Sequence, residues 1–389
     1  MMNNVYIIGA GATPVGEHYS RSLQDLALEG LRSALADTQA DISPRRIGAL
    51  YVANAYGESL AGQGQLGAAI ASAAGLEGIP ALRVEAAGAS GGVALRQAML
   101  SVASGAFDLV AVVGVEKVTD KLEAAIEAAQ MLATDSDFEA EQGITPAGQW
   151  ALLMRRYMHE YGYEADAFAP FPVNAHANAS HNKGALYRFA INADKYRKAT
   201  HVASPLNMLD CSTLADGAAV LLLASEGLAR EVGQRRVRLA GSALATDTLA
   251  LHSRRDPLWL GAAQQSAGAA LKQAGLKHAD IHVLELSDPH GIAAALALEA
   301  SGFVERGSAP RHAADGGISL AGATPLATGG GYKARGDVGG ASGVYQAVEL
   351  VRQLRGEAGQ AQVQGARVGF AQCMGGVGVT VVSHLLMSE

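Results

Sequence analysis

The sequence predicts an α/β protein built from a duplicated unit, with helices covering both faces of its sheets and a mainly helical insertion. Three observations carry this reading. Apolar runs of strand length alternate with longer amphipathic stretches, the pattern of parallel strands buried under helices. Gly-Ala-Ser-Gly occurs at 88–91 and again at 340–343, 252 residues apart (340 − 88), each time followed by an amphipathic stretch and an apolar strand. Between the two copies, residues 119–204 are richer in aromatic and charged side chains than their surroundings.

The elements follow in order. Residues 7–16 read as a first strand running into a loop, with glycines at 9, 11 and 16. That glycine spacing departs from the dinucleotide fingerprint, and Pro14 falls where a phosphate-binding helix would begin, so no nucleotide site is read here. Residues 23–57 read as helix, acidic loop and strand, and 260–291 repeat that order. Residues 88–114 and 340–376 both read as turn, helix and strand. Within the insertion, helical periodicity is strong over 147–162. It is weaker over 175–186, beyond a break at Pro170 and Pro172. Residues 205–233 read as turn, strand and helix, closing the first half. The chain therefore divides into 1–118 plus 205–238, an inserted subdomain 119–204, and 239–389. A period this long, occurring twice, is a duplicated domain and not a solenoid.

Composition narrows the function classes. The 389 residues are 49% hydrophobic and 17% charged, with 30 basic and 37 acidic side chains for a net charge of −7. Such a chain has the apolar content to fold around a large core. No basic cluster with interleaved aromatics suggests nucleic acid. No apolar window has membrane-span length, and the N-terminus lacks the basic and apolar regions of a signal peptide. The expectation is a soluble, cytoplasmic protein. Two cysteines, Cys211 and Cys373, make neither a disulfide framework nor a metal-ligand spacing.

Chemistry concentrates in a few places. A small-residue turn at Gly88 joins an apolar stretch to a helix beginning near Ser90. Such a turn offers free backbone N–H groups at the positive end of a helix dipole, suited to an oxyanion or a low-pKa thiol. Gly88 has no side chain, so only the backbone can serve. The Gly-rich stretch 324–343, with Lys333 and Arg335, reads equally as a phosphate cradle or a surface loop. Cys373 beside a second Gly-rich turn reads as a packing residue or a functional thiol. Cys211 lacks that setting and reads as structural. His176, His181 and His290 lie in loop-like settings and are candidate substrate contacts.

These motifs resemble the thiolases along nearly the whole chain, most closely the archaeal and sterol-carrier-protein types. "VEAAGASGG" is similar to the family's nucleophile motif V-E-A-A-C-A-S-G, and "NAHANASHNKGAL" to its N-H-x-N-A loop. "SPLNMLDCSTLADGAAVLLLAS" is similar to P-L-x-x-x-D-C-S-x-x-x-D-G-A-A. "TGGGYKARGDVGGASG" resembles S-G-G-L-K-A-R-G-H-P-x-G-A-T-G, and "CMGGVG" the final Gly-rich turn. The resemblance implies a five-layer αβαβα fold, a dimer or tetramer, a coenzyme A thioester as ligand and no tightly bound cofactor. It carries ligand contacts to Ser90, His176, Lys333, Arg335, Gly340 and Gly376. It places the nucleophilic cysteine at Gly88, the activating histidine of G-H-P at Asp337, and the histidine of E-x-H-D-x-F at Ser287. Cys373 matches the family's acid/base cysteine.

A glycine cannot form an acyl-enzyme, so covalent thiolysis is closed at position 88. Three readings remain. The first is a non-covalent acyl-CoA lyase or retro-aldolase drawing its acid/base groups from Asp337, Tyr332, His290 and Cys373. The second is a non-catalytic subunit partnered by a synthase-like protein or a small OB-fold/zinc-ribbon protein. The third is a transferase in which Cys373 acts as nucleophile with His290 as base. The insertion's Tyr157, Tyr161, Tyr163, Phe168 and Phe171 are expected to shape the acyl pocket.

Overall fold

The computed structural model describes residues 3–233 and 236–389. In chain order the elements are β1 (Val5–Ala12), α1 (Leu23–Asp37), β2 (Ala49–Ala53), α2 (Leu66–Ala73), β3 (Ala81–Val84), α3 (Ser90–Ala103) and β4 (Leu109–Glu116). The insertion supplies α4 (Glu123–Met131), α5 (Pro146–Tyr161), α6 (Pro170–Ala179), α7 (Ala193–Arg197), β5 (His201–Ala203) and β6 (Leu206–Asn207). Then come β7 (Gly217–Ser225), α8 (Glu226–Val232), β8 (Val237–Thr246), α9 (Gly261–Ala274), β9 (Val283–Leu286), α10 (Gly291–Ala300), α11 (Ala309–Ala314), α12 (Ser342–Leu354), β10 (Val368–Gly375) and β11 (Thr380–Ser388).

Nine strands join in the order β3-β2-β4-β7-β1-β8-β11-β10-β9, and β5 with β6 forms a separate ribbon. The order is a palindrome of the duplication. Read from the centre outward, β1-β7-β4-β2 is matched by β8-β11-β10-β9. The two halves meet at a short antiparallel seam, Tyr6 opposite Arg238 and Ile7 opposite Val237. The first half adds β3 beyond β2. In the second half a single parallel bridge, Leu284 to Leu326, stands in its place.

Three apolar cores separate five layers. α3 and α12 share the middle core between the half-sheets, through residues such as Leu95, Met99, Val344 and Val348. α1, α2 and α8 cover the outer face of the first half, and α9 and α10 that of the second. All ten residues of α10 are buried, in keeping with a helix apolar on every side. Local chemistry sets the boundaries. Ser22 and Asp25 form a capping box on α1, while Thr145 caps α5 ahead of Pro146 and Gly162 ends it in the left-handed region.

The N-terminal strand runs on through Gly9 and Gly11 to Ala12 before the loop begins, with α1 lying directly on it. A Cβ at either glycine would overlap the backbone of Ala34. Pro170 and Pro172 begin a helix where a break was expected, Pro170 filling the first turn, where its missing N–H costs nothing. The insertion's aromatic residues also face elsewhere than expected. Tyr157, Phe168 and Phe171 pack with α10 in the outer core of the second half, and the Tyr157 hydroxyl donates to Glu299 at 2.6 Å.

Candidate active site

β3 delivers the chain into a tight turn, Ala87–Ala89, and α3 starts at once at Ser90. The turn is fastened by Ser90, whose hydroxyl accepts from the Ala86 N–H (2.8 Å) and donates to the Ala87 carbonyl (2.6 Å). The second copy repeats this 252 residues on. Turn Gly339–Ala341 leads into α12, and the Ser342 hydroxyl accepts from the Val338 N–H at 2.8 Å. There, however, the serine donates to the carboxylate of Asp337 (3.0 Å). Ser90 is therefore committed to its own turn and presents nothing to a ligand. Gly340 is likewise committed, its N–H donating to Glu116 at 3.2 Å.

A cavity of about 430 Å³ lies where the first turn, the loops after β9 and β10, and the 330–339 loop converge. It brings together Gly88, Asp337, His290, Tyr332 and Gly376 from the sequence-derived candidates. The insertion lines its mouth with Glu123, Ile126, Glu127, Gln149 and Trp150.

Tyr332 is held by a directed chain. The Met374 N–H donates to the Ser287 hydroxyl (2.9 Å), and that hydroxyl donates to the Tyr332 oxygen (3.0 Å). With one acceptor position filled, the phenol proton is free to point into the cavity. The Tyr332 backbone N–H is fixed by the Asp288 carboxylate at 2.7 Å. Burial, with the nearby Cys373 and Asp337 charges, holds the phenol well above its ordinary pKa, so it is a proton donor. Asp337 receives the Gly339 N–H and the Ser342 hydroxyl on one oxygen, both at 3.0 Å. Among the described residues its other oxygen has only a long contact, 3.4 Å, with the Ser212 hydroxyl. Burial raises its pKa, which makes it a stronger base than a solvated carboxylate. His290 caps α10 and is driven down to about 3, first by burial and then by the Lys333 charge, so it stays neutral.

Gly88 sits against the backbone of a neighbouring strand. A Cβ at that position would stand 2.5 Å from the Met374 carbonyl oxygen, so the space a nucleophile would start from is filled by the backbone of β10.

Five further candidates lie elsewhere. Strand alternation turns Cys373 away from the cavity, into a small apolar cluster with Ala89 and Val382. Its thiol meets the Ala89 carbonyl (3.5 Å), and burial pushes it up to about 12. His176 is buried against Tyr187 and Phe189 and bonded to the Phe189 carbonyl at 3.0 Å. Lys333 is turned inward and donates to the Cys211 carbonyl at 2.5 Å. Arg335 is buried in an ion pair with Glu349 at 2.9 Å. His181 bonds the Gln360 side chain away from the cavity.

The sequence reading passed over Tyr56, Trp150 and Cys211, all of which line the cavity. Cys211 had been read as structural. Its thiol is half-buried and raised to about 12, burial being the main cause and Asp210 the second. Ser287 and Asp288 follow directly on β9, at the carboxyl end of a strand. Sites of open α/β sheets gather at that end; the motif comparison already points to Ser287, and this position is the signal that would have found Asp288.

Comparison with known proteins agrees with this architecture. Residues 5–227 match the family model described as thiolase, N-terminal domain, and 242–388 that of the thiolase C-terminal domain-like family. An acetyl-CoA acetyltransferase from Methanothermobacter thermautotrophicus is 40% identical over 384 residues, covering 99% of each chain. The benzoylsuccinyl-CoA thiolase subunit BbsB of Thauera aromatica is 28% identical, over 96% of this chain and 94% of that one. Among solved structures, one titled Ltp2-ChsH2(DUF35) aldolase superposes with a TM-score of 0.84 at 25% identity, over 99% of this chain and 98% of that one.

Proposed function

The chain belongs to the thiolase family, and from that premise we propose that it is a non-covalent carbon–carbon lyase, a retro-aldolase, acting on acyl-CoA thioesters. One observation carries the reading. The Tyr332 and Asp337 pair faces the Gly88 turn, and the room for a nucleophile there is taken by the Met374 carbonyl.

The chemistry needs no covalent intermediate. The freer oxygen of Asp337 removes the β-hydroxyl proton of a bound β-hydroxyacyl thioester. The β-carbon becomes a carbonyl as the Cα–Cβ bond breaks, and the electron pair passes into the thioester enolate. The Gly88 N–H, at the positive end of α3, stabilises the enolate oxygen. Tyr332 then protonates Cα, and the proton held on Asp337 returns to Tyr332. Ser287 keeps the phenol aimed throughout. The similarity to a structure titled as an aldolase supports the same reaction class.

One feature favours a partner. Among the described residues lining the cavity there is no lysine or arginine, and Glu123 and Glu127 stand at its mouth. The phosphates of coenzyme A call for cations, which a small OB-fold/zinc-ribbon subunit would supply. The same feature supports a second reading, in which this chain shapes a site whose chemistry belongs to a synthase-like partner.

The test is to incubate the purified chain, alone and with such a partner, with β-hydroxyacyl-CoA substrates. Mass spectrometry follows the released carbonyl compound, the shortened acyl-CoA and the intact protein. Cleavage without protein acylation, abolished by Tyr332→Phe or Asp337→Asn, is the expected result. Cleavage by the complex that survives both substitutions supports the subunit reading. An acyl adduct on any cysteine overturns both.

A further inference from the structure

Tyr332 and Asp337 share one loop, and the segment Cys211–Leu214 lines the same cavity from another part of the chain. We propose that Lys333 is a positioning residue, whose ammonium fastens that segment to the turn carrying Tyr332 and so holds acid and base in register. What the fastening serves rests on the lyase reading; the fastening itself does not.

Asp337 is laced to the 212–215 segment. Its N–H donates to the Thr213 carbonyl at 3.0 Å, and its carbonyl accepts from the Ala215 N–H at 2.8 Å. Its freer carboxylate oxygen meets the Ser212 hydroxyl at 3.4 Å. A shift of the segment is therefore a shift of the base. One residue before Ser212, the Cys211 carbonyl accepts from the Lys333 ammonium at 2.5 Å, and the Met208 carbonyl lies at 3.5 Å from the same nitrogen. Lys333 directly follows Tyr332, whose own N–H is fixed by Asp288 at 2.7 Å. The ammonium thus reaches from the acid's turn to the segment that carries the base.

The partners of Lys333 suit this role. It is 5% exposed, and a buried ammonium is costly unless it is well bonded. The carboxylates whose charge acts on it, Asp210 and Asp288, are engaged elsewhere. Asp210 accepts from the Tyr196 hydroxyl at 2.7 and 2.8 Å and from the Asn207 N–H at 3.1 Å, and Asp288 accepts from the Tyr332 N–H. A lysine buried to neutralise a charge faces a carboxylate, whereas this one donates to main-chain carbonyls. A second contact leads to the same place. The ammonium lies 5.8 Å from the centre of the Tyr187 ring, and the Tyr187 hydroxyl shares a 2.9 Å hydrogen bond with that of Thr213. Among the described residues that line the cavity Lys333 is absent, so it acts through the segment and not on substrate.

The experiment removes the donor and keeps the stem, in Lys333→Met, with two readouts on the purified chain. The first needs no substrate. The Cys211 thiol lines the cavity and is raised to about 12, chiefly by burial, so iodoacetamide should alkylate it slowly in the wild type. Release of its carbonyl loosens the segment, and the rate, located to Cys211 by peptide mapping, should rise about 10-fold or more. The second is steady-state kinetics on the β-hydroxyacyl-CoA that the wild type cleaves, alone or with its partner. There kcat should fall by about 10²-fold, the effect of a 1 Å misplacement, with KM little changed. Lys333→Gln keeps a shorter donor, should give intermediate values of both, and carries the test where the methionine variant does not fold. Faster alkylation together with a lower kcat at constant KM supports the proposal. An unchanged alkylation rate overturns it, as does faster alkylation with kcat at the wild-type value, or a fall in kcat matched by a rise in KM. If the wild type cleaves nothing, the lyase reading has failed, and the alkylation rate alone decides whether Lys333 holds the segment.

Discussion

Replacing Gly88 by cysteine places a thiol on the turn that faces the cavity, and the structure predicts that it will not make a working nucleophile there. The Cβ of any residue at 88 would stand 2.5 Å from the Met374 carbonyl oxygen, about 1 Å inside the ~3.5 Å of an ordinary heavy-atom contact. Met374 cannot withdraw freely. It is paired with Val381 in the sheet, and its N–H is bonded to Ser287 at 2.9 Å. Overpacking of this kind costs about 1–3 kcal/mol. Unfolding entropy of about 2.1 cal/mol/K per residue over 389 residues gives roughly 0.8 kcal/mol per kelvin. The melting temperature should therefore fall by roughly 1–4 °C. Gly88→Ala isolates the effect, because it adds the Cβ alone. Gly88 does not have a positive φ. An alanine with room around it would therefore stabilise by about 0.4–1 kcal/mol through the unfolded chain. The sign of the shift decides between filled and empty space. The assay is differential scanning calorimetry of wild type, Gly88→Ala and Gly88→Cys, with intact mass of the cysteine variant after exposure to acetyl-CoA. A raised melting temperature in Gly88→Ala, or an acetyl group on Cys at 88, would refute the reasoning.

Tyr332→Phe should reduce lyase turnover by about 10²–10⁴-fold, the range for loss of a general acid, with a melting temperature close to wild type. Ser287→Ala should lower kcat less and leave KM in place, because Ser287 aims the phenol without touching substrate; steady-state kinetics on both variants check this. The Cys373 thiol, raised to about 12 and buried, should resist iodoacetamide in the native protein at neutral pH and react only on unfolding, as peptide mapping would reveal. His384 is held down to about 3 by burial, from an ordinary value of 6.5, while its Nε2 meets the Gly92 carbonyl at 3.1 Å. Between those values the unfolded chain binds the extra proton, so this histidine lowers stability as pH falls below about 6.5. Urea midpoints should then show the gap between wild type and a less stable His384→Gln narrowing from pH ~7.5 to ~5.

Much of the fold was legible because duplication leaves its mark in spacing. The 252-residue offset between Gly88 and Gly340 is kept by the turns and by Ser90 and Ser342. Side-chain direction was not legible. Cys373 and Met374 are neighbours on β10, yet only Met374 reaches the cavity, and which of them does depends on register against β11 and on α3 behind it. The basic loop misled for a related reason. A lysine and an arginine among glycines look solvated in sequence. Here the glycines let the loop fold inward, so Lys333 and Arg335 are spent on the Cys211 carbonyl and Glu349. Gly331 has a positive φ, and a Cβ there would overlap the Asp288 carboxylate that fixes Tyr332. The insertion's aromatics point to the second half's core because α10 is apolar on every side and must be covered.

The two copies of the turn are hydrogen-bonded differently. In both, a serine one residue into the helix ties down the N–H four residues back. In the first copy that leaves a bare backbone turn facing the cavity. In the second, the serine also holds Asp337, and the Gly340 N–H is spent on Glu116, a buried carboxyl raised to about 8 chiefly by burial. In the proposed lyase one copy would supply the electrophilic donor and the other the base. Fitting a nucleophile at 88 and an imidazole at 337 would take a side chain at 88, an unfastening of Asp337 from Ser342, and a retreat of the Met374 carbonyl. The last of these is a backbone movement that no substitution at 88 or 337 provides. The β10 strand fills the space that a side chain at 88 would take, and Tyr332 and Asp337 are hydrogen-bonded into place.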